Sequence, residues 1–306
     1  MPAYNCQRFV GDAIQCILNQ TYTNWELIIA DDGSKDNTKK LIDHFSDPRI
    51  NTFHNAENQG YLKTWNKLIN KVQGKYVTFL DADDTCSPER LEKMVRFLNE
   101  NPNIGVVGSN FNRINDKSEI TYSSDFVLEH NEIVEKMPHE FNVVGSAVML
   151  RKEILEDIGG YNEFFNRIGA EDYYWLYLIS EKYLIHNLPD HLYNYRFNQN
   201  SVMGNLTLNP EKLFISEVLI KVIEQRKKTG TDDIEQGNWE TLYKILSEKL
   251  NEVGSSTHAL YHYVAKRRFY EGHNKLAISL MKSAINSSPF SFYLYRDLIY
   301  FWRNKS

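Results

Sequence analysis

The sequence predicts an α/β fold, in which a mostly parallel sheet carries helices on both faces and a helical region follows at the C-terminus. Three observations support this prediction. Apolar residues alternate between helical and strand-like periods over roughly the first 80 residues, and acidic turns directly follow two of the strand-like runs. Beyond about residue 205 the pattern changes to long helical stretches. We therefore predict two domains, residues 1–204 and 205–306.

The alternating elements follow one another in short steps. Apolar residues recur at helical spacing over residues 9–20, and the apolar run 25–30 is typical of a buried strand. The next predicted elements are a helix at 38–45, a strand at 50–54, a helix at 61–72 and a strand at 75–80. Parallel sheets covered on both faces show this alternation of helices with short apolar strands.

Two acidic clusters follow predicted strands, at residues 31–34 (DDGS) and 81–84 (DADD). Ligands of open α/β sheets bind at the carboxyl ends of strands, so we expect both clusters at one crevice. Three acids in four positions repel one another, and a hard divalent cation with phosphate co-ligands relieves that repulsion. We therefore predict a metal site at 81–84. As an alternative, Asp84 caps the helix after Ser87, but this explains only one acid.

The C-terminal region is predicted to be helical throughout. Residues 211–228 and 239–253 form two long helices, separated by a break rich in Gly, Thr and Asp. Residues 259–289 form two helices joined at 271–273, with a spacing like that of one tetratricopeptide unit, which must pack on its neighbours. The segment 290–302 mixes aromatic residues with arginine. A helix packed on the protein is the favoured interpretation, and contact with a membrane surface is the alternative.

Length, composition and charge exclude several classes of protein. Of the 306 residues, 42% are hydrophobic and 25% are charged, which is the balance of a soluble globular protein. The net charge of −5 provides no basic surface for a nucleic acid. The three cysteines lack zinc-like spacing, and we find neither a run of about 18 apolar residues nor a signal peptide. We expect a cytoplasmic protein in a reducing environment.

Short motifs occur in a defined order along residues 1–202. In one-letter code they include MPAYN at 1–5, QTY at 20–22, WELII at 25–29, DDGS at 31–34, NQG at 58–60, LDADD at 80–84, GSA at 145–147, GGYNE at 159–163 and ED at 171–172. Each motif alone is weak, but their joint order resembles family 2 glycosyltransferases of the GT-A fold. The resemblance implies a nucleotide-sugar transferase of the kind that builds bacterial surface glycans.

The resemblance also implies a cofactor and a donor site. It implies Mn²⁺ or Mg²⁺ bridging the diphosphate, with Asp83 as a direct ligand and Asp81 on the metal or the ribose. Asp32 would accept a hydrogen bond from the base, whereas Asp31 and Gly33 are equally explained as turn residues. The full set of implied nucleotide-sugar contacts is Pro2, Ala3, Tyr4, Asp31, Asp32, Asp81, Ala82 and Arg196. The nucleotide is expected to be UDP by family habit.

Glu171 and Asp172 match the position of the family's catalytic base, with Asp172 preferred. One carboxylate that takes the proton of an acceptor hydroxyl implies a single displacement with inversion at the anomeric carbon. The alternative is an acid pair that stabilises a helix N-terminus. No processive-synthase motif follows these residues, so we expect one sugar to be added per encounter. His186 and Lys63 are weaker candidates, for which structural roles are favoured.

The family's short apolar strand before the Pro-x-Tyr-Asn turn is not seen, and we expect this first strand to be missing. The main hypothesis is an inverting transferase that uses a UDP-sugar and a glycan or lipid-linked acceptor, with peripheral contact at the inner face of the cell membrane through the C-terminus. Two alternatives stay open. One is a non-catalytic, degenerate transferase fold that acts in binding or scaffolding, and the other is a metal-dependent nucleotidyltransferase.

Overall fold

The computed structural model describes residues 1–137, 140, 142–197, 210–270 and 274–304. The chain divides into two compact units, Met1–Asn205 and Leu206–Ser306. The predicted helix junction at 271–273 lies outside the described residues. Within the described residues, no helix is both long enough and apolar enough to cross a bilayer.

The first unit combines nine strands with seven α-helices in the residues described. The strands are β1 (Pro2–Ala3), β2 (Leu27–Asp31), β3 (Ile50–His54), β4 (Tyr76–Thr78), β5 (Thr85–Cys86), β6 (Ile104–Ile114), β7 (Ile120–Ser123), β8 (Met149–Arg151) and β9 (Leu184–Arg196). The helices are α1 (Val10–Leu18), α2 (Thr38–His44), α3 (Tyr61–Ile69), α4 (Arg90–Glu100), α5 (His130–Lys136), α6 (Lys152–Ile158) and α7 (Glu171–Ser180).

A parallel three-stranded sheet in the order β1-β2-β3 forms the N-terminal part of this unit. All five residues of β2 are buried, which explains why they read as a continuous apolar run rather than an alternating one. A two-residue strand, β1, is formed by Pro2 and Ala3 of the Pro-x-Tyr-Asn turn itself, and the expectation that the strand before this turn is missing stays a prediction. Strand β1 pairs in parallel with β2, with Pro2 opposite Ala30 and Ala3 opposite Asp31.

The second sheet has the strand order β4-β8-β6-β9-β5, with β7 paired to β6. Only the β6–β9 pair is parallel, and the other four pairs are antiparallel. The predicted α/β class is confirmed, but the sheet is mixed rather than mostly parallel. The difference arises after residue 100, where the sequence pattern gave no strand prediction and the long strands β6 and β9 organise the sheet.

The core of the first unit forms between α1 and the two sheets. Val10, Ala13, Ile14 and Ile17 recur at helical spacing, and all four are buried on one side of α1. They belong to a cluster with Leu27 and Ile29 of β2 and with Leu80 and Ala82 of the acidic loop. The acidic loop at 81–84, where the sequence predicts a metal site, is therefore anchored directly on the hydrophobic core.

The second unit is helical in all its described elements, as the sequence predicted. They are α8 (Pro210–Thr229), α9 (Trp239–Val253), α10 (Thr257–Tyr270), α11 (Asn274–Ser287) and α12 (Phe292–Arg303). A shared core of α10, α11 and α12 includes Val264, Met281, Leu294 and Phe301, which are at most 3% exposed. The helix pair thus buries its apolar face against a third helix, α12.

Candidate active site

The turn after β1 is fixed to the loop after β2 by a series of hydrogen bonds. The Asn5 amide donates to Ser34 Oγ (3.0 Å), and the Asn5 side chain accepts from Lys35 N (2.8 Å). The Cys6 amide donates to Thr38 Oγ1 (2.8 Å). Asn5 adopts a left-handed φ of 49°, which asparagine tolerates better than most residues. These contacts place Tyr4, which is 45% exposed, beside the DDGS loop.

Asp31 and Asp32, both 2% exposed, have different partners at the end of β2. Asp31 accepts weakly from the Ser34 amide (3.3 Å) in a local turn. Asp32 accepts from Asn55 Nδ2 (2.7 Å) and from the Gln59 and Gly60 amides (3.1 and 2.9 Å). Asp32 therefore ties β2 to the segment that leads into α3. Its expected contact with the base stays a prediction.

Residues of β9 hold the acidic loop between β4 and β5 through hydrogen bonds. Tyr193 donates from its hydroxyl to Asp84 Oδ2 (2.6 Å) and accepts from the Asp81 amide (3.3 Å). The other Asp84 oxygen accepts from the Arg196 amide (2.6 Å). Asp84 is 1% exposed, and its carboxylate stabilises the loop from within the protein. The alternative that Asp84 caps the next helix is wrong, because that helix begins at Arg90 without a side-chain cap.

Arg196 is 1% exposed and directs its guanidinium to backbone oxygens. Its Nε donates to the Asp83 carbonyl (2.8 Å), and its Nη1 donates to the Asn115 carbonyl (2.9 Å) and to Ser118 Oγ (3.1 Å). The guanidinium also lies 4.5 Å from the centre of the Phe9 ring. The structure therefore places Arg196 under the acidic loop as a support. The contact with the nucleotide sugar that we expected stays a prediction.

Asp81 and Asp83 are the remaining candidates for metal ligands in the acidic loop. Burial raises the pKa of Asp81 to about 7, and the negative charge of Asp83 adds to the rise, while a hydrogen bond from the Tyr61 hydroxyl lowers it. Burial also raises the pKa of Asp83, partly offset by the charge of Arg196. Ala82 between them is buried at 5% exposure, so its side chain turns into the core. Asp81 and Asp83 form a pair of closely spaced, poorly solvated carboxylates.

Asp172 lies in the first turn of α7, next to the turn formed by Gly145–Ala147. Its Oδ1 accepts from the Tyr173 amide (2.8 Å), and its Oδ2 accepts from the Gly145 amide (3.3 Å). The helix starts after Gly169 and Ala170, which both have positive φ values (102° and 71°). Burial raises the pKa of Asp172, although these amide donors lower it.

The structure brings Asp172 and the acidic loop into one site. A negative charge on Asp172 contributes to the raised pKa of Asp81, so the two carboxyls are close enough to interact. Tyr61 at the start of α3 links them, because the charges of Asp81, Glu171 and Asp172 all act with burial to raise its pKa. Asp172, the two candidate metal ligands and the partly exposed Tyr61 are therefore close enough to interact through their charges.

The donor set fits a divalent cation that also binds phosphate. The described residues contain no group of three or more His, Cys, Asp or Glu side chains arranged to hold a metal by themselves. Two carboxylates, Asp81 and Asp83, would leave the remaining positions to phosphate oxygens and water, as is common for Mg²⁺-type ions. Asp84 is excluded from the set because both of its oxygens are used internally.

The weaker candidates are placed in structural contacts. His186 stacks on Phe97 with ring centres 4.7 Å apart and lies opposite Val107 in the sheet. Lys63 is 3.9 Å from Glu163, with both side chains largely exposed. Neither contact gives the residue a role at the acidic loop.

The N-terminal half of the chain matches one protein family. Residues 1–159 match the profile of Glycosyl transferase family 2. The chain belongs to this family. The GGYNE segment at 159–163 packs on α3, because Asn66 of α3 donates to the Tyr161 carbonyl and accepts from the Tyr161 amide (both 2.8 Å). A Cβ on Gly160 would lie 2.4 Å from Asn66 Oδ1, so the glycine allows this close approach.

Glycosyltransferases of several bacteria are similar to parts of this chain. An E. coli protein described as a UDP-Glc:alpha-D-GlcNAc-diphosphoundecaprenol beta-1,3-glucosyltransferase, WfgD, is 30% identical over 67% of this chain and 78% of its own length. An uncharacterized glycosyltransferase of Haemophilus influenzae is 30% identical over 65% of this chain, and the match spans 64% of that protein. The Bacillus subtilis protein TuaG, a putative teichuronic acid biosynthesis glycosyltransferase, is 37% identical over 32% of this chain.

Solved structures of S. aureus TarS share the fold. TarS 1-349 in complex with UDP-GlcNAc aligns with a TM-score of 0.60 at 19% identity, covering 94% of this chain and 79% of that chain. The complex of TarS 1-349 with UDP aligns with a TM-score of 0.55 at 17% identity, covering 100% of this chain and 90% of that chain. This likeness agrees with the GT-A fold that the motif order predicted.

Sequence reasoning missed the residues that position this candidate site. Arg90, at 0% exposure, donates to the Phe79 carbonyl (3.0 Å), to Thr78 Oγ1 (2.8 Å) and to the Ser146 carbonyl (2.8 Å). It thereby joins the strand that ends at the acidic loop to the turn that contacts Asp172. An arginine on the buried face of an amphipathic helix was the only available signal. Tyr61 and Tyr193 gave none, because isolated tyrosines are common in apolar patterns.

Proposed function

We propose that the chain is an inverting glycosyltransferase that moves one sugar from a nucleoside diphosphate sugar, expected to be a UDP-sugar, to a hydroxyl of a glycan or lipid-linked acceptor in cell-surface polysaccharide biosynthesis. The observation that carries the proposal is the proximity of Asp81, Asp83 and Asp172, whose charges interact with one another or with Tyr61. Family membership supports a glycosyl donor, and the donor and acceptor in the name of the E. coli relative WfgD support the proposed classes of both.

In this mechanism Asp172 acts as the general base. It takes the proton of the acceptor hydroxyl while that oxygen forms a bond to the anomeric carbon of the donor sugar. The bond from the same carbon to the diphosphate oxygen breaks on the opposite face, which inverts the configuration. The Gly145 and Tyr173 amides hold both carboxylate oxygens of Asp172, so the base is oriented before the acceptor binds. Glu171 adds negative charge beside it.

Asp81 and Asp83 would hold Mn²⁺ or Mg²⁺, which when bound supplies positive charge for the departing diphosphate. The chain's own contribution is to fix these two carboxylates. Tyr193 holds the Asp81 amide, and Arg196 holds the Asp83 carbonyl. The turn after β1 and the DDGS loop are joined by hydrogen bonds and provide the surface expected to receive the nucleoside. A cytoplasmic location of this chemistry is part of the proposal.

Calorimetric titration of UDP with and without Mn²⁺ tests the donor site. We expect metal-dependent binding by the natural chain, loss of that binding in Asp83→Ala, and retention in Asp12→Ala, which removes an exposed aspartate from α1. Binding of UDP that is equal with and without metal, or equal in the two variants, contradicts the assignment of Asp83.

The base is tested separately, by screening UDP-sugars for UDP release in the presence of candidate acceptors. Asp172→Asn should bind UDP as the natural chain does and lose at least about a hundredfold in turnover. Glu171→Gln should lose less. A product of retained anomeric configuration, identified by NMR, would refute the single-displacement mechanism.

A further inference from the structure

The last helix of the second unit, α12, carries an unusual exposed face. Phe292 is 83% exposed, Tyr295 40%, Ile299 53% and Trp302 59%. These positions recur at spacings of three and four residues, so they lie along one side of the helix. The opposite side is buried, where Leu294 and Phe301 belong to the core of the helical unit. The exposed face therefore lies opposite the side of α12 that forms the core.

Cations accompany this aromatic face. Arg296 and Arg303 fall on the same side as Phe292 by helical spacing, and the Arg296 side chain is 76% exposed. The single acid of α12, Asp297, is turned aside, because its carboxylate pairs with His262 Nε2 of α10 (2.8 Å) at 15% side-chain exposure. Arg296 also contacts Asp297 (3.0 Å). Because α12 contains Arg296 and Arg303 but only one acid, its net charge is positive.

The end of α10 extends the same kind of surface. Phe269 stacks on Phe301 with ring centres 4.2 Å apart, which brings the last turns of α10 and α12 together. Tyr270, the last residue of α10, is 72% exposed. The last turn of α10 also contains Arg267 and Arg268, and α10 contains no acid. Exposed aromatic side chains and basic residues thus occur together at this end of the unit.

We propose that the exposed face of α12 docks on the surface of an anionic phospholipid bilayer, with the helix lying in the plane of the interface. Tryptophan, tyrosine and arginine are favoured at the level of the lipid headgroups, where a ring can enter the acyl boundary while its polar atoms stay hydrated. The positive charge matches anionic headgroups. At 12 residues, α12 is too short to span a bilayer, and an interfacial orientation suits its length.

A bilayer explains this face better than a second copy of the chain. A symmetric contact between two copies would bring the same arginines of α12 against one another, whereas an anionic bilayer offers them the opposite charge. The whole chain has a net charge of −5, whereas the second unit contains more Lys and Arg than Asp and Glu. The inference extends the proposed function, since a lipid-linked acceptor is held at a membrane, but it can be tested without any substrate.

Vesicle sedimentation of the full chain is the test. Vesicles of equal parts phosphatidylglycerol and phosphatidylethanolamine should bind the protein, and vesicles of phosphatidylcholine alone should bind it at least about tenfold more weakly. The variant Ile299→Ser with Trp302→Ser should weaken binding to the anionic vesicles by about tenfold or more. The matched control, Ile120→Ser with Tyr122→Ser, removes an exposed pair from β7 and should bind as the natural chain does.

Two outcomes would overturn the proposal. Equal sedimentation of the α12 variant and the β7 control would show that this face does not contact lipid. Failure of the natural chain to bind vesicles, with a dimer in light scattering that the α12 variant reduces to a monomer, would assign the face to a second copy. Far-ultraviolet circular dichroism confirms that each variant is folded. UDP calorimetry on the same samples separates failure of this proposal from failure of the proposed donor site.

Discussion

Replacing Gly145 with alanine tests the placement of Asp172 without touching the carboxylate itself. A Cβ at residue 145 would lie 2.5 Å from Asp172 Cβ and 2.8 Å from Asp172 Oδ2. Ordinary contact begins at 3.4 Å, so relieving the shorter approach requires Asp172 to move by about 0.9 Å. The movement would also stretch the 3.3 Å hydrogen bond from the Gly145 amide.

The expected loss follows from this displacement. A shift of about 1 Å in a catalytic group lowers turnover by about a hundredfold, which corresponds to about 2.7 kcal/mol in the activation free energy. The donor contacts proposed for Asp81 and Asp83 lie on a different loop. We therefore expect kcat to fall by about a hundredfold in Gly145→Ala, while the Kd for UDP with metal stays within about threefold of the natural value.

The assay measures UDP release with the donor identified by the screen, together with calorimetric Kd values. Gly11→Ala is the matched control, because it adds the same methyl group where no atom lies within 4 Å of the new Cβ. It should keep full activity and gain up to about 1 kcal/mol in stability, since Gly11 lies in α1. A Gly145→Ala enzyme that is folded, binds UDP and retains its kcat would refute the proposed role of the Gly145 turn in holding the base.

Two further predictions concern the support of the site and its pH dependence. Replacing Arg196 with methionine leaves the partly buried carbonyls of Asp83 and Asn115 without their donors, so the free energy of unfolding in urea titrations should fall by about 3 kcal/mol. The control Arg8→Met removes a largely exposed ion pair and should change the free energy of unfolding by less than about 0.5 kcal/mol. Equal losses in the two variants would contradict the support role of Arg196. Burial raises the pKa of Asp172 above the usual aspartate value of about 3.9. At saturating Mn²⁺, kcat/KM should therefore fall as the pH drops through this raised pKa, because the base becomes protonated. A pH profile that is flat down to about pH 4 would contradict Asp172 as the base.

The N-terminal elements could be predicted because their patterns are local. The strand predicted at 50–54 matches β3, and the helix predicted at 38–45 matches α2 to within one residue. Each of these elements is short, and its apolar spacing reports directly on the face that it buries. The C-terminal helices α8 and α9 were predicted for the same reason.

The second sheet could not be predicted in the same way. Strands β6 and β9 pair in parallel across about 80 residues of sequence, and their register shifts at several points between Ile104 and Phe111. Such irregular pairing interrupts the simple alternation by which a strand is recognised. Contacts of this kind are fixed by tertiary packing, and they decide which side chains of β9 reach the acidic loop.

The sequence does not predict which of the acids bind a ligand and which stabilise the fold. Asp32, Asp83 and Asp84 all follow strands in acidic turns, and the sequence predicted the same crevice for them. In the structure, Asp84 is saturated by a hydroxyl and an amide from β9, and Asp32 by donors that lie more than 20 residues away in the chain.

Asp81 and Asp83 differ from these acids in what β9 offers them. In the described part of the chain, Tyr193 and Arg196 of β9 contact the backbones of Asp81 and Asp83, and no comparable donor from β9 approaches their carboxylates. A carboxylate supplied with buried donors is stabilised as an anion and becomes part of the framework, whereas one that is desolvated beside another carboxylate favours an added cation. The division of the acids between framework and chemistry is therefore set by partners contributed from β9 and from the segment before α3. Substituting those partners, Tyr193 or Asn55, should alter the site as strongly as substituting the acids themselves.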